Sequence, residues 1–333
     1  MAITNKGAPR TPFIVDKKKG LRRRVSKSKT EYIAPYIELR GIATEENAGD
    51  AGYLVVIRYR DALTNKLKPL IQPREILLKP HDIKKALMNG GYDVPTSGTK
   101  LKLLLKYLRT TTTPHRYAIV GRTGWCDSGY IRADGEIIGD KSRIIYQPAT
   151  PPRIVHPATG GTLDGWRDEV AKPALHSRLM IFTICMSLSA LLLRLSGDES
   201  GVFHLFGEST AGKGLLELAA MSIHGWARRK DLLHWDATET GIDELAAEHC
   251  DRVLVLDETG HLAGTATTQD AAAKAQKVSF KIAAGTGRLR SAFFGKRGNL
   301  SQWRVLVLSS GEHAISEIAT AAGRRRLKGD EVR

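Results

Sequence analysis

The feature that most constrains the fold is the segment 203–214, which reads FHLFGESTAGKG. A mainly apolar strand runs into the pattern Gly-x4-Gly-Lys, and a helical pattern follows from residue 215. This order is typical of a phosphate-binding Walker A loop, in which glycines let backbone N–H groups face phosphate oxygens. The pattern alone would also fit a glycine-rich turn before a helix. As a Walker A segment, it predicts an α/β fold with a parallel sheet.

In such a loop, Lys213 would supply a mobile positive charge for the β- and γ-phosphates of ATP. The helix that follows would direct the positive end of its dipole at the same anion. Gly214 departs from the motif, because it stands where a Ser or Thr hydroxyl normally binds Mg²⁺. The residues predicted to bind the nucleotide are Gly207, Glu208, Ser209, Thr210, Ala211, Gly212, Lys213 and Gly214.

A second strand ends in two carboxylates. Residues 251–258 read DRVLVLDE, and four consecutive apolar residues indicate a strand that is buried on both faces of a parallel sheet. In a Walker B arrangement, Asp257 would hold Mg²⁺ and Glu258 would orient and deprotonate the attacking water. Taken alone, a strand that ends in Asp-Glu is common and its carboxylates are usually only solvated.

A third strand is predicted over 303–310, in the segment WRVLVLSSGE. Like the second, it ends in polar residues. Ser309 or Ser310 could hydrogen-bond the γ-phosphate or the attacking water. A strand that ends in a simple Ser-Gly turn explains the same residues equally well.

Composition points to a basic partner-binding protein with real hydrophobic cores. The chain has 333 residues, 42% hydrophobic residues, a net charge of +16 and a pI near 9.8, which together favour a nucleic-acid partner. Its three cysteines are widely spaced and form no zinc motif. The uncharged stretch 179–193 is too short to cross a bilayer and is expected to be a buried helix. We therefore expect a cytoplasmic protein without a membrane partner.

Three regions are predicted along the chain. Residues 1–30 contain ten Lys or Arg residues and one acidic residue, which predicts a flexible basic arm that contacts phosphates or serves only as a solubilising tail. Residues 31–149 show a smaller α+β pattern. A proline-rich stretch over 148–157 is expected to be the linker to a nucleotide-binding domain over 150–333.

A basic loop precedes the third strand. The segment 285–298 contains four cations, four glycines and two aromatic residues, a composition that suits contact with a nucleic-acid strand. An ordinary exposed hairpin is the alternative, as is a loop whose arginines reach the phosphates of a neighbouring subunit. The predicted nucleic-acid contacts are Arg288, Arg290, Lys296 and Arg297.

Several of these stretches, taken in order, resemble the bacterial and phage family called domain of unknown function 927. The resemblance covers roughly residues 35–333 and rests on 123–125, 161–167, 203–213, 235–238, 254–258, 285–290 and 305–312.

The family is similar to the ring-forming helicases of phages and mobile elements, of the minichromosome maintenance and superfamily III type. The resemblance therefore implies an AAA+-like P-loop NTPase core, ATP and Mg²⁺ as cofactors, DNA as partner, and a homo-oligomer in the form of a hexameric ring. Relatives carry Thr or Ser where this chain has Gly214. Ring ATPases complete each site with a cation of the neighbouring subunit, and Arg333 is the candidate here.

The combined interpretation is the motor core of a replicative DNA helicase that hydrolyses ATP to move on DNA. Two alternatives stay open: a nucleotide-switched DNA-binding or helicase-loader module with little hydrolysis, and a catalytically silent assembly subunit. The predicted catalytic residues are Lys213, Asp257, Glu258, Ser309, Ser310 and Arg333, with Asp257 as the metal ligand.

Overall fold

The computed structural model describes residues 12–45, 52–148, 160–225, 227–235, 237–258, 277–287, 302–314 and 317. The chain divides into two compact units. The first consists of Met1–Val120 with Ser142–Ile145, and the second of Gly121–Lys141 with Tyr146–Arg333.

The strands are β1 (Phe13–Asp16), β2 (Gly20–Arg24), β3 (Thr30–Ala34), β4 (Ile37–Glu45), β5 (Leu54–Arg60), β6 (Leu67–Pro73), β7 (Arg116–Val120), β8 (Gly124–Cys126), β9 (Gly129–Ile131), β10 (Ile137–Gly139), β11 (Ile144–Tyr146), β12 (Gly201–Phe206), β13 (Leu233–His234), β14 (Arg252–Asp257) and β15 (Val305–Gly311). The α-helices are α1 (Pro80–Asn89), α2 (Gly98–Thr110), α3 (Leu163–Trp166), α4 (Lys172–Ala174), α5 (Arg178–Ala190), α6 (Leu193–Ser196), α7 (Lys213–Ser222) and α8 (Glu239–Glu248). A π-helical turn at Arg167–Ala171 joins α3 to α4, and 3₁₀ turns lie at Arg74–Leu78 and Arg229–Asp231.

The first unit is an α+β structure. Strands β1–β2–β3 form an antiparallel sheet, and a five-stranded sheet has the order β11-β7-β4-β5-β6. Along β4, buried and half-buried residues alternate, as the two-residue period of a strand with one buried face requires. The two helices contribute buried residues one turn apart to the same core, which includes Ile83, Leu87, Leu104 and Leu108.

The predicted flexible arm differs from the structure. Within 1–30, residues 13–24 form strands β1 and β2, and residues 1–11 lie outside the described part. Leu21 is fully buried, and Phe13 packs edge-on against Tyr107 with 5.5 Å between the ring centroids. Arg23 pairs with Glu31 at 2.9 Å. Phe13 and Leu21, which lie within the basic run, pack this hairpin against the core. The prediction of a flexible arm was based on charge and overlooked these two residues.

The second unit contains a four-stranded sheet in which all neighbours are parallel, in the order β12-β15-β14-β13. Residues of β14 and β15 alternate between two cores. Leu254, Leu256, Val305 and Val307 join one core with α8, while Val253, Val255, Leu306 and Leu308 join another with α5 and α7. The sheet is thus buried on both faces, and the predicted α/β fold with a parallel sheet is confirmed.

The uncharged stretch 179–193 forms most of α5 and the start of α6. Its residues Met186, Ala190 and Leu193 belong to the core on one face of the parallel sheet. Within the described ranges, no helix has both the length and the apolar character that crossing a bilayer requires. The prediction of a buried helix holds for one face only, because Leu179 and Leu188 of α5 are 56% and 45% exposed.

The predicted domain boundary at 149/150 also differs from the structure, because residues 121–141 belong to the second unit. These residues form a sheet with the order β10-β9-β8. Hydrogen bonds connect them to residues much later in the chain. The Trp125 N–H donates to Asp251 Oδ2 at 2.8 Å, and the Thr123 hydroxyl donates to the Glu248 carbonyl at 2.7 Å. Gly124 has φ +95°, and a Cβ there would lie 2.5 Å from Asp251 Oδ2. These contacts join residues 123–125 to Glu248 and Asp251 within the second unit.

Candidate functional site

The site is built around the loop between β12 and α7, which we call the glycine loop (residues 207–212). Gly212 caps α7 in a left-handed conformation with φ +88°, and Thr210 also has a positive φ of 70°. A non-glycine residue in this region is uncommon and marks a backbone held by its surroundings. The side chains of Glu208, Ser209, Thr210 and Ala211 are exposed.

Lys213 is the first residue of α7 and folds back over the glycine loop. Its ammonium donates to the Gly207 carbonyl at 2.7 Å and to the Glu208 carbonyl at 2.9 Å. The ten residues of α7 direct the positive end of the helix dipole at this loop. Gly214 is the second residue of the helix, and a Cβ there would meet no atom within 4 Å.

Strand order brings the polar strand ends together. Because β15 lies between β12 and β14, the carboxyl ends of all three strands lie at one edge of the sheet. The Ser310 hydroxyl donates to Asp257 Oδ1 at 2.7 Å and accepts from the Glu258 N–H at 3.2 Å. Glu258 has φ +55°, so the chain turns sharply directly after Asp257. Ser310 therefore fixes both predicted acidic residues through one buried hydroxyl.

Ser309 takes part in a different network. It is fully buried, and its Oγ accepts from the Trp235 Nε1–H at 2.8 Å. His204 Nδ1 lies 2.9 Å from the same Oγ, and His204 Nε2 lies 3.0 Å from the His313 carbonyl. A carbonyl can only accept, so Nε2 carries the proton and the Ser309 hydroxyl donates to Nδ1.

Burial lowers the pKa of His204, which favours this neutral state. The hydrogen bond to His313 and the Glu258 carboxylate act in the opposite direction, and Lys213 lowers the pKa further. His204 and Trp235 were missed as partners of the site. Their signal was present, since His204 interrupts an apolar strand and Trp235 begins 235–238, one of the stretches on which the family resemblance rests. Of the two predicted serines, the structure brings Ser310 to the acidic pair and turns Ser309 to the Trp235–His204 network.

Glu217 is a further residue of the site that sequence reasoning missed. It lies one turn beyond Lys213 in α7 and is fully buried. Neither carboxylate oxygen accepts a hydrogen bond of ordinary geometry from the described residues. The segment LLELAA offered the signal, because a single carboxylate stands in an otherwise apolar helix.

Burial raises the pKa of Glu217 to about 7. The Ser310 hydroxyl lowers it, Asp257 raises it, Lys213 lowers it and Glu258 raises it. The carboxyl therefore interacts with Lys213, with Ser310 and with both acidic residues of the site. It shares one environment with the residues that the sequence identified.

Several predicted residues lie outside the described part of the chain. They are Arg288, Arg290, Lys296, Arg297 and Arg333. The base of the predicted basic loop is described: Thr286 and Gln302 form an antiparallel bridge, and the Trp303 N–H donates to the Gly285 carbonyl at 3.0 Å.

The donor set fits a magnesium ion bound together with a nucleotide. The described residues contain no group of three or more His, Cys, Asp or Glu side chains suited to holding a metal. Mg²⁺ usually takes only one or two carboxylates and completes its shell with phosphates and water. Asp257 lies at the strand end beside the glycine loop, and the buried Glu217 carboxylate lacks a hydrogen-bond donor.

Fold and site together define an α/β protein with a parallel sheet whose polar strand ends face a glycine loop. The family model described as domain of unknown function (DUF927) matches residues 16–304, and the chain belongs to this family. The predicted family membership is thus confirmed.

Among solved structures, the chain is similar to one described as "SCCmec type IV Cch - active helicase". The TM-score is 0.61 and the sequence identity is 18%, and the match covers 92% of this chain and 56% of the helicase. At this identity the likeness concerns the fold. The chain spans little more than half the length of that helicase. No curated protein matches the chain.

The pKa of Glu217 predicts a specific pH dependence of stability without nucleotide or metal. The ordinary value is 4.5 and the folded value is about 7, so the folded protein holds this proton more tightly than the unfolded chain. The stabilisation is complete below 4.5 and is lost as pH rises through 7. Between pH 5 and 8, the free energy of unfolding of the wild type should therefore fall by about 2 kcal/mol relative to Glu217→Gln.

Urea denaturation at several pH values measures this difference. Glu199→Gln, which removes an exposed carboxylate of the same unit, should follow the wild type. Parallel curves for the wild type and Glu217→Gln would show that Glu217 is not held in a charge-excluding environment.

Proposed function

We propose that this chain is the ATP-binding motor core of a replicative DNA helicase of a phage or mobile element. The observation that carries the proposal is the Ser310–Asp257–Glu258 network beside the glycine loop and the N-terminus of α7. Nucleotides bind at the carboxyl ends of strands in open parallel sheets, and an acidic pair is needed there to place a metal and a water. The likeness in fold to a helicase supports the same function.

In this proposal each residue has one task. The glycine loop and Lys213 bind the phosphates. On nucleotide binding, the Lys213 ammonium exchanges its hydrogen bonds to the Gly207 and Glu208 carbonyls for bonds to phosphate oxygens. Asp257 contributes to holding Mg²⁺, which would neutralise charge on the phosphates. Glu258 orients the attacking water and accepts its proton. Ser310 positions the Asp257 carboxylate and the backbone of Glu258, and Ser309 stabilises the strand end through Trp235.

Substrate and assembly belong to the same proposal. DNA would be contacted by Arg288, Arg290, Lys296 and Arg297, and by the exposed turn Lys17–Lys19 between β1 and β2. Arg333 would complete the site of a neighbouring subunit in a homo-oligomeric, hexameric ring. Because the work is done on replicating DNA, we propose a cytoplasmic location.

A second candidate follows from Gly214. Without the P-loop hydroxyl, the site could bind nucleotide as a switch for a DNA-binding or loader module with little hydrolysis. A catalytically silent assembly subunit is the remaining alternative.

Steady-state ATPase assays with and without single-stranded DNA separate these functions. For a motor, DNA should stimulate turnover, and Glu258→Gln should lower it by about 100-fold or more while ATP still binds, because a general base is lost. Nucleotide-dependent DNA binding without turnover would support the switch. The assembly subunit would show neither property, and that result would contradict the motor.

The salt dependence of DNA binding tests the Lys17–Lys19 turn. Asp16 accepts hydrogen bonds from the backbone of Lys18 and Lys19, so the three exposed side chains project from a fixed turn. Replacing all three by Gln should reduce the slope of log K against log salt by about 2 on single-stranded DNA, at roughly 0.7 for each phosphate contact.

Point substitutions are required here because deletion of 1–30 would remove the buried Leu21. The matched control replaces Lys84, Lys85 and Lys102, which are exposed lysines of α1 and α2. Equal slopes for the turn variant and the wild type would show that the turn does not contact phosphates.

A further inference from the structure

Gly214, the second residue of α7, leaves the Walker A pattern without one of its usual metal ligands. Gly214 offers no hydroxyl, and the space where a side chain would begin is open, with no atom within 4 Å of a Cβ. Mg²⁺ requires near-octahedral oxygen ligation and dehydrates reluctantly, so a lost ligand leaves it poorly placed. An oxygen from elsewhere in the chain would restore the coordination.

Glu217 lies where such an oxygen is needed. Residues three apart on an α-helix share a face, so Glu217 lies on the same face of α7 as Gly214, one turn further along. Helical side chains lean toward the N-terminus of their helix, here toward the glycine loop. A glutamate is longer than a serine or threonine, which compensates for its position one turn further from the loop.

Among the described residues, no cation bonds the Glu217 carboxyl directly. The side chain is fully buried and both oxygens are without a hydrogen bond of ordinary geometry in the described part of the chain. The Lys213 ammonium donates hydrogen bonds to two loop carbonyls, and the Ser310 hydroxyl donates its hydrogen bond to Asp257. A buried carboxylate is costly unless a cation accompanies it. Lys213 lowers the pKa of Glu217, but neither it nor any other described side chain donates a hydrogen bond of ordinary geometry to the carboxyl.

Resting on the proposed function, we infer that Glu217 replaces the missing P-loop hydroxyl and, together with Asp257, holds the Mg²⁺ that accompanies the nucleotide. Two carboxylates with phosphate and water oxygens are the ligand set that Mg²⁺ prefers in nucleotide sites. Ser310 connects the two carboxylates, since it bonds Asp257 and influences the carboxyl of Glu217. The site of this family member would thus keep its metal while lacking the usual residue.

Binding of Mn²⁺, monitored by electron paramagnetic resonance in the presence of a saturating non-hydrolysable ATP analogue, tests the inference without relying on turnover. Glu217→Gln should weaken Mn²⁺ binding at least tenfold, since removal even of outer-shell partners costs about that much. Gln has nearly the shape of a protonated Glu, so the variant should fold. Glu199→Gln is the matched control with the same change in charge and should bind Mn²⁺ like the wild type.

The double variant Gly214→Thr/Glu217→Gln sharpens the test. If the two positions serve one purpose, Gly214→Thr should restore Mn²⁺ binding in the Glu217→Gln background by about tenfold and change the wild type much less. The open space at Gly214 accommodates the new side chain. Additive effects of the two substitutions would contradict the inference.

The inference and the proposed function can fail separately. If the analogue binds and Mn²⁺ affinity is the same in Glu217→Gln and the wild type, only the role of Glu217 is refuted. If the analogue binds neither protein, with or without the metal, the nucleotide site itself is refuted, and the role of Glu217 with it.

Discussion

The central position of β15 between β12 and β14 is the constraint on which the rest of the second unit depends. Parallel pairing on both sides buries the apolar residues of β15 in two separate cores. It also places Ser309 and Ser310 on opposite faces of the sheet, at the same edge as the glycine loop and the acidic pair. One serine then stabilises the strand end through Trp235, and the other bonds Asp257. Ser309 thus contributes to the stability of the sheet, and Ser310 to the arrangement of the candidate site.

Buried polar groups at this edge fall into two classes. The Trp235–Ser309–His204 chain is satisfied at every step, so it stabilises the sheet at little cost. Glu217 is not satisfied, and burial raises its pKa far above the ordinary value for a carboxyl. Proteins retain such groups where they serve a site, because an unpartnered buried charge lowers stability. The unsatisfied carboxyl thus lies on the α7 side of the sheet.

Local patterns in the sequence predicted strands β12, β14 and β15 and helices α5 and α7, because apolar runs next to polar ends leave few alternatives. Long-range contacts were not readable in the same way. The hydrogen bond between Trp125 and Asp251 joins residues far apart in the chain. Because of such contacts, the second unit begins at Gly121 and not at the predicted residue 150. Leu21 stands among basic residues in the sequence, and it is buried only because later strands and helices form the core that it joins. Glu217 acquires its significance only when β15 brings Ser310 beside it. The tasks assigned to Lys213, Glu258 and Arg333 stay predictions.

Equilibrium binding of a fluorescent ATP analogue to the wild type and to Lys213→Ala tests the central claim most directly, namely that the glycine loop is a nucleotide site. Without the lysine, backbone amides alone must balance the phosphate charge, so affinity should fall by about 100-fold or more, equal to at least roughly 3 kcal/mol. Lys84→Ala provides a control, because Lys84 is an exposed lysine of α1 in the first unit and its loss should leave affinity unchanged. Equal affinities of Lys213→Ala and the wild type would contradict the account.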